Sequence, residues 1–127
     1  MYHEDVDGLG IVYYANYLRF MERARTEWLR ELGLDQTDLR RQFGIVLVVA
    51  NANIRYHHPA KFNDALKVGV RMARLGRVAI DLEQTVDAES GETLCSATVK
   101  IACVDENTHR PCVLPNDVAR ELETSVN

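Results

Sequence analysis

Two carboxylates and two glycines stand just before a helix-like segment near the start of the chain. Asp5 and Asp7 are followed by Gly8 and Gly10, and helical spacing begins at Asn16. Glycine lets the backbone approach a ligand closely, and the first backbone N–H groups of a helix have no partner within it. A carboxylate beside such donors suits acyl transfer, because the donors can polarise an acyl carbonyl. Asp7 by itself could equally be a capping acid that stabilises the helix start.

The other reactive residue types do not form a comparable motif. The four histidines have no carboxylate or cysteine at ligand spacing, so we predict no metal site; they are His3, His57, His58 and His109. The three cysteines have no C-x-x-C spacing, and we expect all of them to be reduced, with Cys95 and Cys103 buried. The chain has no G-x-G-x-x-G or Walker motif, which excludes nucleotide-binding folds of those types.

Composition places the chain among ordinary globular proteins. Its 127 residues predict a single domain spanning 1–127, and 46% hydrophobic with 27% charged residues allow an ordinary core. The formal net charge of −4 disfavours general nucleic-acid binding. No apolar run is long enough for a membrane span, and the pattern of a signal peptide is missing. We therefore expect a cytoplasmic protein.

One long helix must position the motif. Apolar residues recur at steps of three and four over residues 16–32, and Gly33 follows as a C-terminal cap would; the apolar face consists of Tyr17, Phe20, Met21, Ala24, Trp28 and Leu32. Arg25 lies close to this face. It is either a flanking arginine whose head reaches water, or part of a buried ion pair or subunit contact. Residues 35–43 form a linker or a second helical turn.

After the helix the hydrophobic period changes from 3.6 to 2, which indicates strands. We predict four of them, at about residues 46–56, 66–73, 78–86 and 95–103. Turns at 75–77 and 87–92 separate the last three, Pro59 ends the first, and a short helix begins at Pro115. One helix followed by four strands predicts an α+β fold. We expect the helix to pack on the even-numbered strand residues up to Val86, with both faces covered early in the first strand.

The motif and its surroundings resemble a known family, the hot-dog-fold acyl-CoA thioesterases. The closest group holds 4-hydroxybenzoyl-CoA thioesterase and the Tol-Pal-associated acyl-CoA thioesterases. The matching residues are Asp5-Val6-Asp7-Gly8-Leu9-Gly10-Ile11-Val12-Tyr13-Tyr14-Ala15-Asn16-Tyr17 and Phe20-Met21-Glu22-Arg23-Ala24-Arg25, then Ile54-Arg55-Tyr56, Pro59, Asp64, Cys103-Val104-Asp105 and Arg110-Pro111. The resemblance implies a long central helix wrapped by a curved antiparallel sheet. It also implies a homodimer or homotetramer with the site at the dimer interface.

The resemblance assigns roles to the motif. It implies that Asp7 is the catalytic nucleophile or general base, supported by Asp5, and that the backbone N–H of Tyr14 polarises the thioester carbonyl. Coenzyme A is part of the substrate, and no cofactor is implied. The residues expected to bind substrate are Gly8, Gly10, Val12, Tyr13, Tyr17, Arg74 and Arg77. Tyr13 and Tyr17 are as well explained by core packing, and the two arginines by a solvated turn.

Two departures and two alternatives accompany the resemblance. Tol-Pal-associated members commonly carry histidine where this chain has Tyr14, a change that keeps the backbone donor. The chain also begins almost at the motif, which leaves little sequence for a first strand; a truncated start would leave one sheet edge short. A non-catalytic acyl-CoA-binding module is the main alternative function. A hot-dog hydratase would need a catalytic histidine near Pro-Gly, and neither His57 nor His109 has that setting.

Overall fold

The computed structural model describes residues 16–58 and 65–124. Its elements, in chain order, are α1 (Asn16–Glu31), α2 (Gln36–Phe43), β1 (Ile45–Tyr56), β2 (Leu66–Leu75), β3 (Ala79–Ala88), β4 (Thr93–Asp105) and α3 (Asn116–Glu123). The strands form one antiparallel sheet in the order β1-β4-β3-β2. The predicted α+β arrangement of one long helix and four strands is therefore confirmed. None of the helices in the described segments is long and apolar enough to cross a membrane.

Local signals define the segment between α1 and the sheet. The Asp35 side chain accepts a hydrogen bond from the backbone N–H of Thr37 at 2.8 Å and caps the start of α2. Gly44 ends α2 with a φ of 67°, a left-handed conformation that a side chain would strain, and its N–H bonds Arg40 O. The segment predicted as a linker or helical turn is thus a capped helix that leads directly into β1.

The core lies between α1 and one face of the sheet. α1 buries Tyr17 and Met21 and lies over β2 and β3. The buried sheet residues are Ile45 and Leu47 in β1, Met72 in β2, Ile80, Leu82, Gln84 and Val86 in β3, and Leu94, Cys95, Ala97, Val99, Ile101, Cys103 and Val104 in β4. The helix face and the inward face of β4 are those predicted. In the third strand the prediction is right for Ile80, Leu82 and Val86 and wrong for Val78, which precedes β3 and is 41% exposed. In the described residues the buried apolar side chains form a single cluster, which α3 joins through Val118 and Leu122; the extent of one domain over 1–127 stays a prediction.

A polar side chain sits within this core and joins helix to sheet. Gln84 is 1% exposed and occupies an inward position of β3 between two apolar residues. Its Nε2 donates to Met21 O at 2.9 Å, and its Oε1 accepts from Arg25 Nη1 at 2.8 Å. The buried amide is therefore satisfied on both sides, as a buried polar group must be.

The first strand contradicts the predicted inward face. Ile45 and Leu47 are buried, whereas Val48 is 40% exposed, so the odd-numbered residues face the core at the start of β1. The register with β4 shifts between Val49 and Asn51, which is the signature of a β-bulge. Beyond that shift Ile54 packs against the core. The predicted even-numbered face is therefore wrong before the bulge and right after it, and the predicted cover on both faces is wrong at Val48.

We expect Val86→Ala to lower the free energy of unfolding by about 2 kcal/mol, because it removes two buried methyl groups and leaves a void. Val86 is fully buried, while Val113 is 55% exposed. Val113→Ala is therefore the matched control and should change stability by less than about 0.5 kcal/mol. Urea denaturation measures the free energy of unfolding of both variants. Equal losses of stability would contradict the assignment of Val86 to the core.

Candidate functional site

Most of the predicted site residues lie outside the described residues. They are Asp5, Asp7, Gly8, Gly10, Val12, Tyr13 and Tyr14. Their predicted roles stay predictions. The structure does place the helix into which this motif leads, together with Tyr17, Arg74 and Arg77.

Tyr17 marks the motif's end of α1. Its side chain is 2% exposed. Its ring lies 5.8 Å from the Tyr56 ring and 6.2 Å, edge-on, from the Phe20 ring, centroid to centroid. The helix start is therefore fixed by an aromatic cluster against the end of β1. Core packing of Tyr17, one of the two interpretations of this residue, accounts for these contacts.

Arg74 and Arg77 lie at the other end of the sheet. Both are exposed and flank the turn that joins β2 to β3. Tyr17 contacts the last residue of β1, at the end of the sheet where β3 finishes. Most of the length of β3 separates the two ends, roughly 20 Å. Within one chain, the two arginines are far from the helix start.

A cavity of about 500 Å³ separates the C-terminal half of α1 from β1. Its apolar walls include Trp28 and Leu29 from the helix, Leu47 and Val49 from β1, and Leu82 and Ile101 from the sheet floor. Val49 is 49% exposed, so the cavity reaches the surface at the edge of the sheet. α1 packs over β2 and β3 while α2 packs against β1, and the cavity lies between these elements.

Arg25 is the cationic side chain of this cavity wall. Its guanidinium is half-buried, donates to Gln84 Oε1 at 2.8 Å, and has no carboxylate within 4 Å among the described residues. Burial lowers its pKa from the ordinary value, and the charge of nearby Glu22 partly offsets that effect. The guanidinium is therefore not simply a surface head reaching water, and the described residues contain no ion pair for it.

Gln36 closes part of the β1 edge. Its Nε2 donates to Leu47 O at 2.8 Å, and Leu47 N donates to its Oε1 at 3.1 Å. The Gln36 amide thus forms with Leu47 the two hydrogen bonds that a residue of a neighbouring strand would form. Sequence reasoning missed both Gln36 and Gln84. A glutamine in the apolar alternation of β3 was the only signal for Gln84, and nothing local marks Gln36.

The cysteines are free, as predicted, and two of them are buried. Burial raises the pKa of Cys95 to about 11. Burial, together with a hydrogen bond between its thiol and that of Cys112, raises the pKa of Cys103 to about 12. The Cys103 and Cys112 sulfurs lie 3.5 Å apart. Cys95 and Cys103 therefore stay protonated at neutral pH and are unsuited to act as nucleophiles.

Asp105, part of the family resemblance, has a structural role in the described residues. Its carboxylate accepts hydrogen bonds from the backbone N–H groups of Thr108, at 2.9 Å, and Asn107, at 2.8 Å. These bonds hold its pKa below the ordinary value. The carboxylate shapes the turn after β4.

The histidines of the described segments form no metal site. No group of three potential ligands from His, Cys, Asp and Glu occurs within residues 16–58 and 65–124. His57 Nε2 instead lies 2.8 Å from Ser96 Oγ on the neighbouring strand β4.

Comparisons with known proteins cover almost the whole chain. The sequence model of the thioesterase-like superfamily matches residues 2–122. Acyl-CoA thioesterase YbgC of Haemophilus influenzae is 39% identical over 118 residues, 93% of this chain and 86% of the relative. Acyl-CoA thioester hydrolase YbgC of Escherichia coli is 31% identical over 123 residues, 97% and 91% of the two chains. The crystal structure of a probable thioesterase from Bartonella henselae, 32% identical, superposes with a TM-score of 0.83 over 91% of this chain and 94% of the other.

Thiol titration tests the burial of the cysteines. At pH 8 we expect Cys112, the half-buried one, to react first with a disulfide reagent, because the other two thiols are buried and their pKa values are about 11 and 12. Denaturation should expose all three. Fast reaction of more than one thiol in the native protein would contradict the buried, protonated state of Cys95 and Cys103, and Cys112→Ser identifies the reacting group.

Proposed function

The chain belongs to the thioesterase-like superfamily, and we propose that it hydrolyses acyl-CoA thioesters to the free acid and coenzyme A. The family that the motif predicted and the hot-dog fold are both confirmed by the match over residues 2–122. The observation that carries the proposal is the retention of Asp7, Gly8 and Gly10 before the helix in a chain up to 39% identical to named acyl-CoA thioesterases.

Thioester chemistry suits the proposed site. Sulfur gives a thioester carbonyl little resonance stabilisation, and thiolate is a good leaving group. In our proposal the carbonyl oxygen accepts a hydrogen bond from the Tyr14 N–H, which stabilises the developing oxyanion. Asp7 either attacks the carbonyl carbon, expelling the thiolate and leaving a mixed anhydride for water to cleave, or takes a proton from an attacking water. A carboxylate and an oxyanion donor suffice for either route, so we propose no resident cofactor.

We also propose that two copies pair through β1. This edge strand exposes Val48, Val49 and Tyr56 by 40%, 49% and 46%. A long edge strand with exposed apolar side chains is a template for another chain. Because Gln36 occupies the edge at Leu47, the pairing begins beyond that residue. An antiparallel, twofold arrangement satisfies these constraints, in a dimer or in a tetramer built from such dimers.

This pairing gives Arg74 and Arg77 a place in the proposed site. In an antiparallel pair, the end of β1 in one copy lies beside the start of β1 in the other. The helix start of one copy, marked by its Tyr17, then lies at the end of the sheet where the other copy carries Arg74 and Arg77. We propose that these arginines bind the phosphates of coenzyme A at the helix start of the other copy.

We also propose that the protein is cytoplasmic.

We expect Asp7→Asn to slow thiol release from acyl-CoA by about 100- to 10,000-fold, because the amide is neither a base nor a useful nucleophile. A thiol-trapping assay over a panel of acyl-CoAs measures the rate, and equilibrium binding of the same substrates checks that the site remains formed.

Asp5→Asn is the matched control for this experiment and should lose much less activity. Asp7→Asn hydrolysing as fast as wild type would refute the mechanism. A wild type that binds acyl-CoA but releases no thiol from any member of the panel would be a binding module instead of an enzyme.

We expect Val49→Lys to convert the assembly to single chains, because pairing would bury a charge at the edge of β1. Light scattering measures the mass. Val113→Lys, at an exposed position away from β1, should keep the wild-type mass. Should Val49→Lys retain that mass as well, the interface does not use this strand.

A further inference from the structure

The cavity beneath α1 has the properties of a ligand pocket, and the catalytic motif does not account for it. Its volume of about 500 Å³ lies in the range of roughly 300–1,000 Å³ that small-molecule sites occupy. Trp28, Leu29, Leu47 and Leu82 give it apolar walls. A site of this kind combines apolar surface with a few polar groups that select the ligand.

Arg25 is the cationic group of the lining, whose other polar side chains are those of Glu22, Thr26, Asp35, Gln36 and Thr37. A guanidinium carries five N–H donors, and in the described residues one hydrogen bond is formed, to Gln84 Oε1. Gln84 holds the guanidinium in place, since one of its amide N–H groups donates to Met21 O and its Oε1 accepts from Arg25. A half-buried cation without a carboxylate partner is costly, and burial already lowers its pKa. An acceptor oxygen on a bound ligand would use the remaining donors and offset this cost.

One side of the cavity faces the edge of the sheet at Val49. Tyr17 and Met21, which precede the cavity-lining part of α1, are 2% and 1% exposed. Val49 is one of the exposed residues that line the cavity, together with Glu22, Thr26, Gln36 and Thr37. Val49 lies on the strand through which two copies are proposed to pair, and that pairing would bring the helix start of the second copy to this side of the cavity. An acyl group bound there would extend into the cavity of the first copy.

We propose that this cavity binds the acyl part of the substrate and that Arg25 selects acyl groups bearing an acceptor oxygen, a hydroxyl or a carboxylate, far from the thioester. The proposal rests on the proposed acyl-CoA function and adds the substrate class. Arg25 acts as a specificity determinant, and the reacting atoms lie elsewhere.

The test measures binding separately from hydrolysis. The chain has a single tryptophan, Trp28, and it lies in the cavity wall, so its fluorescence reports entry of a ligand. The probes are an octyl thioether of coenzyme A and its ω-hydroxyl and ω-carboxyl counterparts, which cannot be hydrolysed. We expect the oxygen-bearing probes to bind about 10- to 100-fold more tightly than the octyl probe. A larger gain for the carboxyl probe than for the hydroxyl probe identifies an anionic ligand.

Arg25→Met should remove this preference, leaving the three probes within about threefold of one another. Arg23→Met is the matched control, because Arg23 is exposed two residues away on the same helix, over the Phe20 ring, and should keep the preference. The preference is a ratio measured on one protein, so partial misfolding of a variant does not change it.

Three outcomes would overturn the inference. They are equal affinities for the probes in wild type, a preference that survives Arg25→Met, and binding without any change in Trp28 fluorescence. Thiol release from the matching thioesters is measured in parallel. A preference without thiol release refutes the proposed hydrolysis alone, whereas thiol release without a preference refutes only the role of Arg25.

Discussion

A buried side-chain amide joins the central helix to the sheet. Gln84 donates to the carbonyl of Met21 and accepts from Arg25, and leaving such a buried group unpaired would cost about 1–3 kcal/mol. Since both partners lie on α1, these bonds define how the helix is rotated and placed over β3. With α1 held over β2 and β3, the cavity remains between α1, the start of α2 and β1. The Gln84 amide therefore fixes the position of the helix and, with it, the position of the Arg25 guanidinium in the cavity wall.

The register shift in β1 determines which of its side chains line the cavity. Side chains alternate strictly along a regular strand, so a shift of one residue exchanges its two faces. Before the shift between Val49 and Asn51, Leu47 faces inward and lines the cavity. After it, Tyr56 faces inward and meets Tyr17 at the helix start. One strand thereby serves both the cavity and the aromatic cluster at the opposite end of the sheet.

Sequence alone predicted the features that depend on neighbouring residues. Hydrophobic period, caps and turns located the helices and the strands, since each is a local property. The β1 bulge was missed because no glycine or proline marks it. Gln84 was missed because its partners are 63 and 59 positions away. Spacing also could not show at which end of the sheet Arg74 and Arg77 lie. Asp7 rests on its motif and the family match, and its geometry stays a prediction.

In the proposed dimer, the edge of β1 would connect assembly to specificity. Gln36 already satisfies Leu47, so a second copy can pair only beyond it, where the cavity opens at Val49. In a single chain, water reaches the cavity through this opening and weakens the interaction between Arg25 and an acceptor oxygen. The proposed pairing through β1 would exclude water from this side of the cavity, and electrostatic interactions strengthen as the local dielectric falls. Discrimination by Arg25 should therefore depend on the pairing of two chains, although Arg25 itself lies on the central helix of one.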